Sequence, residues 1–204
     1  GIDLPGELAG LLPSRDWKLA TRREIWYPGE TLITGIGQGY NLVTPLQLAE
    51  ATAILANRGT IVQPHIVHAT QASGSSDLVI QAVPPRGKVP IAAPENWETV
   101  ISAMEDVVNT QGGTAFGLGR GAAYRIAGKT GTAQVFGIKQ NEKYKSQEVE
   151  ERLRDHAWFV AFAPAADPEI VVAVIVENGG HGASVAAPIA RAVMDRYFSS
   201  KSVL

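Results

Sequence analysis

Apolar and polar positions repeat with different periods along this chain, and the changes of period mark its elements. From Thr44 the pattern signals a helix with clear ends. Thr44 can accept the amide of Gln47, Gln47 can reach back to Thr44, Pro45 suits the first helical position and Gly59 closes the run. Between them Leu46, Leu48, Ala49, Ala51, Ala53, Ile54, Leu55 and Ala56 are apolar almost all round, which predicts a buried helix rather than an amphipathic one. Strands are expected at about 60–70 and 77–83, joined by a hairpin turn at Ser73-Gly74-Ser75-Ser76. A second helix, about Pro94 to Asn109, sets Trp97, Val100, Ile101, Met104 and Val108 on one face as core. Further strands are expected over Tyr124 to Phe136, His156 to Ala163 and Glu169 to Glu177. The last two are joined by so few residues that they must pair antiparallel. Ser184 to Phe198 closes the chain as a helix with Val185, Ile189, Val193 and Tyr197 along one side.

The stretches between these elements carry less periodicity. Residues 1–43, rich in Gly, Pro and aromatics, read as a long irregular segment. Within it, Gly35-Ile36-Gly37-Gln38-Gly39 follows no Val/Ile strand and lacks the third-glycine spacing of a dinucleotide fingerprint, so it reads as a tight turn. Glycines at 112, 113, 117, 119 and 121 predict a flexible loop. Residues 137–154 mix Lys139, Lys143, Lys145, Arg152 and Arg154 with Glu142, Glu148, Glu150 and Glu151, and Asp155 just beyond completes the charge balance, which predicts a solvated, mobile excursion with a short helix near 146–153. The element order suggests an α+β fold, an antiparallel sheet covered by helices.

Composition narrows the classes. With 204 residues the chain can hold one domain with a real core, or two very small ones. A formal charge of −2, with no basic run interleaved with aromatics, gives no case for nucleic acid. The longest apolar run, Ile170 to Val176, is strand-sized and far short of a membrane span. The absence of cysteine excludes thiol catalysis and disulfides. Gly1-Ile2-Asp3-Leu4-Pro5-Gly6-Glu7 reads as an excised segment rather than a native start.

The chemistry concentrates in Gly128-Lys129-Thr130-Gly131-Thr132-Ala133-Gln134, inside a predicted strand. Alternation sets Lys129 and Gly131 on one face, Thr130 and Thr132 on the other. A strand at the rim of a cleft can offer backbone amides to a peptide lying alongside, and a glycine at 131 removes the side chain that would block that approach. Lys129 brings a cation and the threonines bring donors for a carboxylate. The amide just beyond the glycine can help hold an oxyanion. Together they suit a short peptide with a free carboxylate, held beside a serine nucleophile.

Several separated motifs flank this box: Trp26-Tyr27-Pro28-Gly29-Glu30, the 35–39 cluster, Thr44-Pro45-Leu46-Gln47-Leu48-Ala49, Glu151-Arg152-Leu153-Arg154-Asp155-His156, His156 through Pro164, and Glu177-Asn178-Gly179-Gly180. The whole arrangement resembles the C-terminal part of the transpeptidase domain of class B penicillin-binding proteins, and within them the elongation-specific members of Gram-negative bacteria. The box is then one of the three motifs of a serine enzyme that reacts with penicillin. The resemblance implies that residues 1–204 are the C-terminal part of one transpeptidase domain, of the penicillin-binding and serine β-lactamase-like fold. It implies that Lys129 supports proton traffic and carboxylate binding, that Thr130, Gly131 and Thr132 hold substrate, and that the Thr132 amide is an oxyanion donor. It also sets His181 at the cleft rim.

No Ser-x-x-Lys or Ser-x-Asn occurs in these residues, so the nucleophile is expected upstream and the chain alone is expected to be inactive. The last strand would expose an edge that N-terminal strands of the family cover. The implied activity is peptidoglycan D,D-transpeptidation without a cofactor. The implied ligands are stem peptides and β-lactams, and the implied partners are the glycosyltransferase and scaffold proteins of the elongation complex. The implied location is the periplasmic face of the inner membrane, with an anchoring helix outside this chain. A serine β-lactamase-like hydrolase and a non-catalytic peptide-binding module are the alternatives.

Other polar groups offer less. His65 and His68, three apart on an expected strand, would point to opposite faces and not share a metal. Asp155 and His156 lack a third candidate ligand nearby. A triad of Ser184, His181 and Asp155 is conceivable, but residues 178–182 read first as a glycine-rich connection.

Overall fold

The computed structural model describes residues 1–135 and 149–201; Phe136 and residues 137–148 of the expected excursion lie outside them. In chain order the helices are α1 (Arg15–Arg22), α2 (Pro28–Gly35), α3 (Pro45–Ala56), α4 (Glu95–Asn109) and α5 (Ala186–Lys201). The strands are β1 (Thr60–Ile61), β2 (Ala69–Gln71), β3 (Leu78–Ile80), β4 (Gly87–Lys88), β5 (Ala127–Ala133), β6 (His156–Ala163) and β7 (Ile170–Val176).

β5, β6 and β7 form an antiparallel sheet in that order, with Lys129 opposite Val160, Gly131 opposite Trp158 and Phe159 opposite Val174. The central strand β6 is apolar at nearly every position because helices cover both of its faces. Alternation sends Phe159, with Ala157 and Ala161, toward Ala186, Ala187, Ala190 and Met194 of α5. Phe162 points the other way, into a cluster with Ala56 of α3 and Ile101 and Met104 of α4. Both phenylalanines are fully buried, each stabilising the fold by roughly 2–3 kcal/mol of removed apolar surface. Among the described residues no strand pairs with the far side of β7 or of β5. The exposed last-strand edge is therefore present, and the box lies on the opposite edge.

The helix signals at Thr44 hold to the atom. The Thr44 hydroxyl accepts the Gln47 amide at 3.1 Å, and the Gln47 side chain accepts the Thr44 amide at 2.9 Å. Gly59 follows with φ +90°, and a Cβ there would lie 2.8 Å from the Trp97 ring. The helix is not buried all round, however: it packs on β6 and β7, only Thr52 and Ala56 are buried, and Ala51 is exposed. Two other apolar stripes are corrected. Val100 is exposed at the edge of the α4 face, and on α5 Ile189 and Val193 face outward while the alanines and Met194 meet the sheet. Small residues let that helix approach closely, which the bulkier β-branched side would prevent.

The strand expected at 60–70 is two short strands, β1 pairing with β4 and β2 with β3 through the predicted hairpin. Between them the Asp3 carboxylate accepts the amides of Ile66 and Val67 at 2.7 and 2.9 Å, replacing strand pairing. Residues 1–43 are not irregular throughout, since α1 and α2 stand within them. Ser14 caps α1 by accepting the Trp17 amide at 3.1 Å, and Pro28 opens α2. At eight residues each, these helices are too short to show a period.

Their junction holds the largest buried polar side chain among the described residues. Lys18 donates to the Ile25 carbonyl at 2.9 Å and to Glu30 Oε1 at 2.7 Å, beneath the Tyr27 ring. Burial would push its ammonium pKa down, but the hydrogen bond and charge of Glu30 outweigh that and hold it above the ordinary lysine value. Glu30 is correspondingly held below the usual carboxylate range by Lys18 and by the Tyr27 amide.

Candidate active site

The box lies on β5, and its inner end is fixed by packing. Ile126 and Ala127 are fully buried, and a Cβ at Gly128 would lie 2.7 Å from the Phe159 ring. Asn109, at the end of α4, donates to the Ile126 carbonyl at 2.8 Å. The strand then runs outward, so Lys129 and Thr132 are exposed while Thr130 and Gly131 are half-covered. Lys129 Nζ donates to the Thr130 carbonyl at 2.6 Å. Thr130 Oγ1 lies 3.0 Å from Thr114 Oγ1, which brings a second hydroxyl to the box from the glycine-rich segment.

That segment is a succession of reverse turns rather than an unsupported loop. The amides of Gly113, Phe116, Leu118, Arg120 and Ala122 each bond the carbonyl three residues back. A Cβ at Gly113 would fall onto the carbonyls of Asp106 and Val107, so only glycine allows the chain to turn there against α4. Arg191 of α5 straps the segment from below, its Nη1 donating to the Leu118 carbonyl at 2.5 Å. The same arginine binds Asp195, which also accepts the Tyr124 hydroxyl at 2.7 Å. Burial, then the Asp195 carboxylate, push the Tyr124 hydroxyl up to about 12. Burial alone would raise Asp195, but the bonds from Tyr124 and Arg191 prevail and hold it below the usual carboxylate range.

The turn after β7 closes over the other side of the box. Gly182 is buried, and a Cβ there would fall onto the Trp158 carbonyl and within 2.7 Å of the Gly131 carbonyl. Its neighbour His181 is exposed beside it. Upstream, the Asp155 carbonyl accepts the Gly180 amide at 2.8 Å, and His156 Nδ1 accepts the Asn178 amide at 2.9 Å. Those two bonds tie Asp155 and His156 to the turn as its support. The Ser184 hydroxyl donates to the His181 carbonyl at 3.2 Å, so the conceivable triad with His181 and Asp155 is not what this serine serves. His65 and His68 are exposed outside any strand, and among the described residues no three His, Asp or Glu gather as a metal site.

The outer side of β5 carries one residue that periodicity missed. Gln38 Nε2 donates to the Thr132 carbonyl at 2.8 Å across 94 positions of sequence. Because the amide and carbonyl of one strand residue point the same way, the Thr132 amide also faces off the sheet, away from β6. A backbone donor, two hydroxyls and an ammonium thus surround an open strand edge. Such a set can hold a carboxylate and polarise an acyl carbonyl. The signal for Gln38 was the pair of glycines around it, with φ +77° at Gly37 and +76° at Gly39.

Comparison with known proteins shows the family of the chain. Residues 1–195 match the penicillin binding protein transpeptidase domain. The chain is 43% identical over 201 residues to the peptidoglycan D,D-transpeptidase MrdA of Haemophilus influenzae, covering 98% of this chain and 31% of that protein. It is 46% identical over 202 residues to MrdA of Acinetobacter baumannii, covering 98% and 29%. Among solved structures it is similar to Pseudomonas aeruginosa PBP2 in complex with WCK 5153, at 46% identity and TM-score 0.78, over 96% of this chain and 39% of that one. The PBP2 of Helicobacter pylori in its complex with MreC gives 30% identity and TM-score 0.80, over 98% and 33%. The chain spans about a third of the length of these curated relatives. On this match over nearly its whole length, the chain belongs to the penicillin-binding protein transpeptidase domain family.

Proposed function

We propose that the chain is the C-terminal part of the transpeptidase domain of a longer elongation-type peptidoglycan D,D-transpeptidase, and that it supplies the substrate-binding wall of the cleft. The observation that carries this is the open edge of β5. There the Thr132 amide points off the sheet while the Thr130–Thr114 hydroxyl pair and Lys129 stand beside it. A serine outside this chain attacks the carbonyl of the penultimate D-Ala of a stem peptide. The C–N bond breaks and the terminal D-Ala leaves as its amine, taking a proton. An amine of a neighbouring stem then attacks the acyl-serine, restoring the serine and making the cross-link.

In that sequence Lys129, Thr130 and Thr132 hold the terminal carboxylate, and the Thr132 amide stabilises the oxyanion. Gly131 keeps the approach clear, and His181 lines the rim. A β-lactam occupies the same wall through its own carboxylate. The relatives' names are those of cell-wall enzymes, which supports action outside the cytoplasm; the location proposed for the parent protein is the periplasmic face of the inner membrane. The complex of the Helicobacter pylori relative with MreC supports a scaffold partner for the parent protein.

The test is covalent labelling by a fluorescent penicillin. The parent protein labels, and Lys129→Ala slows labelling by about a hundredfold, the scale of losing a directed donor or cation at a reacting acyl group. The 204 residues alone do not label. Labelling of the isolated chain, or an unchanged rate in Lys129→Ala, refutes the assignment. Rapid hydrolysis of the β-lactam by the parent protein would instead make it a β-lactamase.

A further inference from the structure

We infer that Gln38 is a positioning residue for the reaction: its carboxamide holds the Thr132 peptide so that the Thr132 amide keeps its aim at the reacting carbonyl. This rests on the transpeptidase reading above and adds a residue to it. Among the described residues β5 is an edge strand, so β6 restrains only one of its sides. On the open side, at the residue whose amide must be fixed, the 2.8 Å bond from Gln38 supplies the missing restraint. Among the described residues it is the one side-chain hydrogen bond that joins residues 1–43 to the sheet.

Gln38 is mounted as such a role requires. Helix α2 ends in a two-bond turn, the Gly37 amide donating to Thr34 and the Gln38 amide to Ile33, with Gly37 in the left-handed conformation. The Asn41 side chain donates to the carbonyls of both Thr34 and Gln38, at 3.2 and 3.1 Å, which locks the backbone from which Gln38 projects. At the other end of α2, Lys18 grips Glu30 and the Ile25 carbonyl, and Glu30 accepts the Tyr27 amide at 2.7 Å. The Trp17 ring meets that of Tyr40, just past the turn, with centroids 5.2 Å apart. Both ends of the short helix are therefore anchored, and the side chain between Gly37 and Gly39 is delivered to one carbonyl.

The experiment measures acylation of the parent protein by a fluorescent penicillin, separating the limiting rate from the half-saturating concentration. In Gln38→Ala the limiting rate falls about five- to tenfold, the scale of one hydrogen bond, with half-saturation and unfolding temperature unchanged. In Gln38→Glu a carboxylate faces the carbonyl and cannot donate, so the rate at neutral pH falls at least as far. As pH drops toward the carboxyl range, near 4.3, the protonated acid donates again, and its rate relative to wild type recovers.

A Gln38→Ala rate equal to wild type overturns the inference. A faster one does so too, because Gln38 would then only obstruct the carbonyl. A loss of rate that tracks a loss of unfolding temperature, with no low-pH recovery in Gln38→Glu, shows a structural role and also overturns it. Failure of the wild-type parent to label removes the transpeptidase reading itself, and this inference with it.

Discussion

In the C-terminal sheet Phe159 and Phe162 are fully buried on opposite faces, whereas in residues 1–43 Leu8, Leu12, Leu32 and Ile36 lie open and the largest buried side chain is a lysine. The first region is held by apolar area. The second is held by directed polar bonds: Ser14 to Trp17, Lys18 to Glu30 and Ile25, Asn41 to Thr34. Area is non-directional and tolerates small shifts, while a hydrogen bond fixes an atom's position but contributes only about 1 kcal/mol net. The sheet therefore supplies the stability that the box strand needs. The N-terminal turns supply placement, and Gln38 is where the second region touches the first.

Three measurements test that contrast. The largest effect is expected from Phe159→Ala, which leaves a cavity between β6 and α5 and should lower the unfolding free energy of the parent protein by about 3–5 kcal/mol. Denaturant titration checks it, and a loss below about 1 kcal/mol would mean that the sheet is not the stabilising unit. Lys18→Met should act locally. Glu30 loses its partner, and amide exchange over residues 24–38 should rise by about tenfold while the global midpoint barely moves. A global shift equal to that of Phe159→Ala would erase the distinction between the regions.

The smallest effect concerns the polar strap within the packed half, where Tyr124 and Arg191 meet Asp195. Asp195 has a depressed pKa, so its contribution is present above the ordinary carboxyl value near 4 and is lost as pH falls through its folded value. Tyr124 has a raised pKa, so its contribution is complete below about 10 and is lost as pH rises through about 12. Urea midpoints should form a plateau between those limits. Tyr124→Phe should lower the plateau by about 1 kcal/mol and remove the contribution of this tyrosine to the alkaline decline. An unchanged plateau would show that the strap bears no weight.

Much of the fold was legible because long elements announce themselves. α3 had a reciprocal cap, β6 and β7 were apolar runs with a short link, and α4 carried Ile101, Met104 and Val108 at helical spacing. α1 and α2 were not legible from periodicity, because eight residues hold little more than two turns; their start signals, Ser14 and Pro28, are local, while the Lys18–Glu30 pair that joins them spans twelve positions. The burial of α5 was misjudged for another reason. Periodicity names an apolar stripe, but close packing on a sheet selected the alanines over Ile189 and Val193. Among the candidate residues, Lys129 through Thr132 stood out as a local pattern. Thr114, Gly182 and Gln38 did not, since each is defined by what it meets.

The sequence by itself determined the elements of the second half, their antiparallel pairing and the residue types at the box, because caps, turns and alternation are local physics. It also carried the likeness that its relatives bear out. Only the tertiary structure decided that the box strand is an edge, that the Thr132 amide looks outward, and that Gly182 seats against Gly131. Those facts depend on contacts between residues tens of positions apart, whose distances no local period encodes.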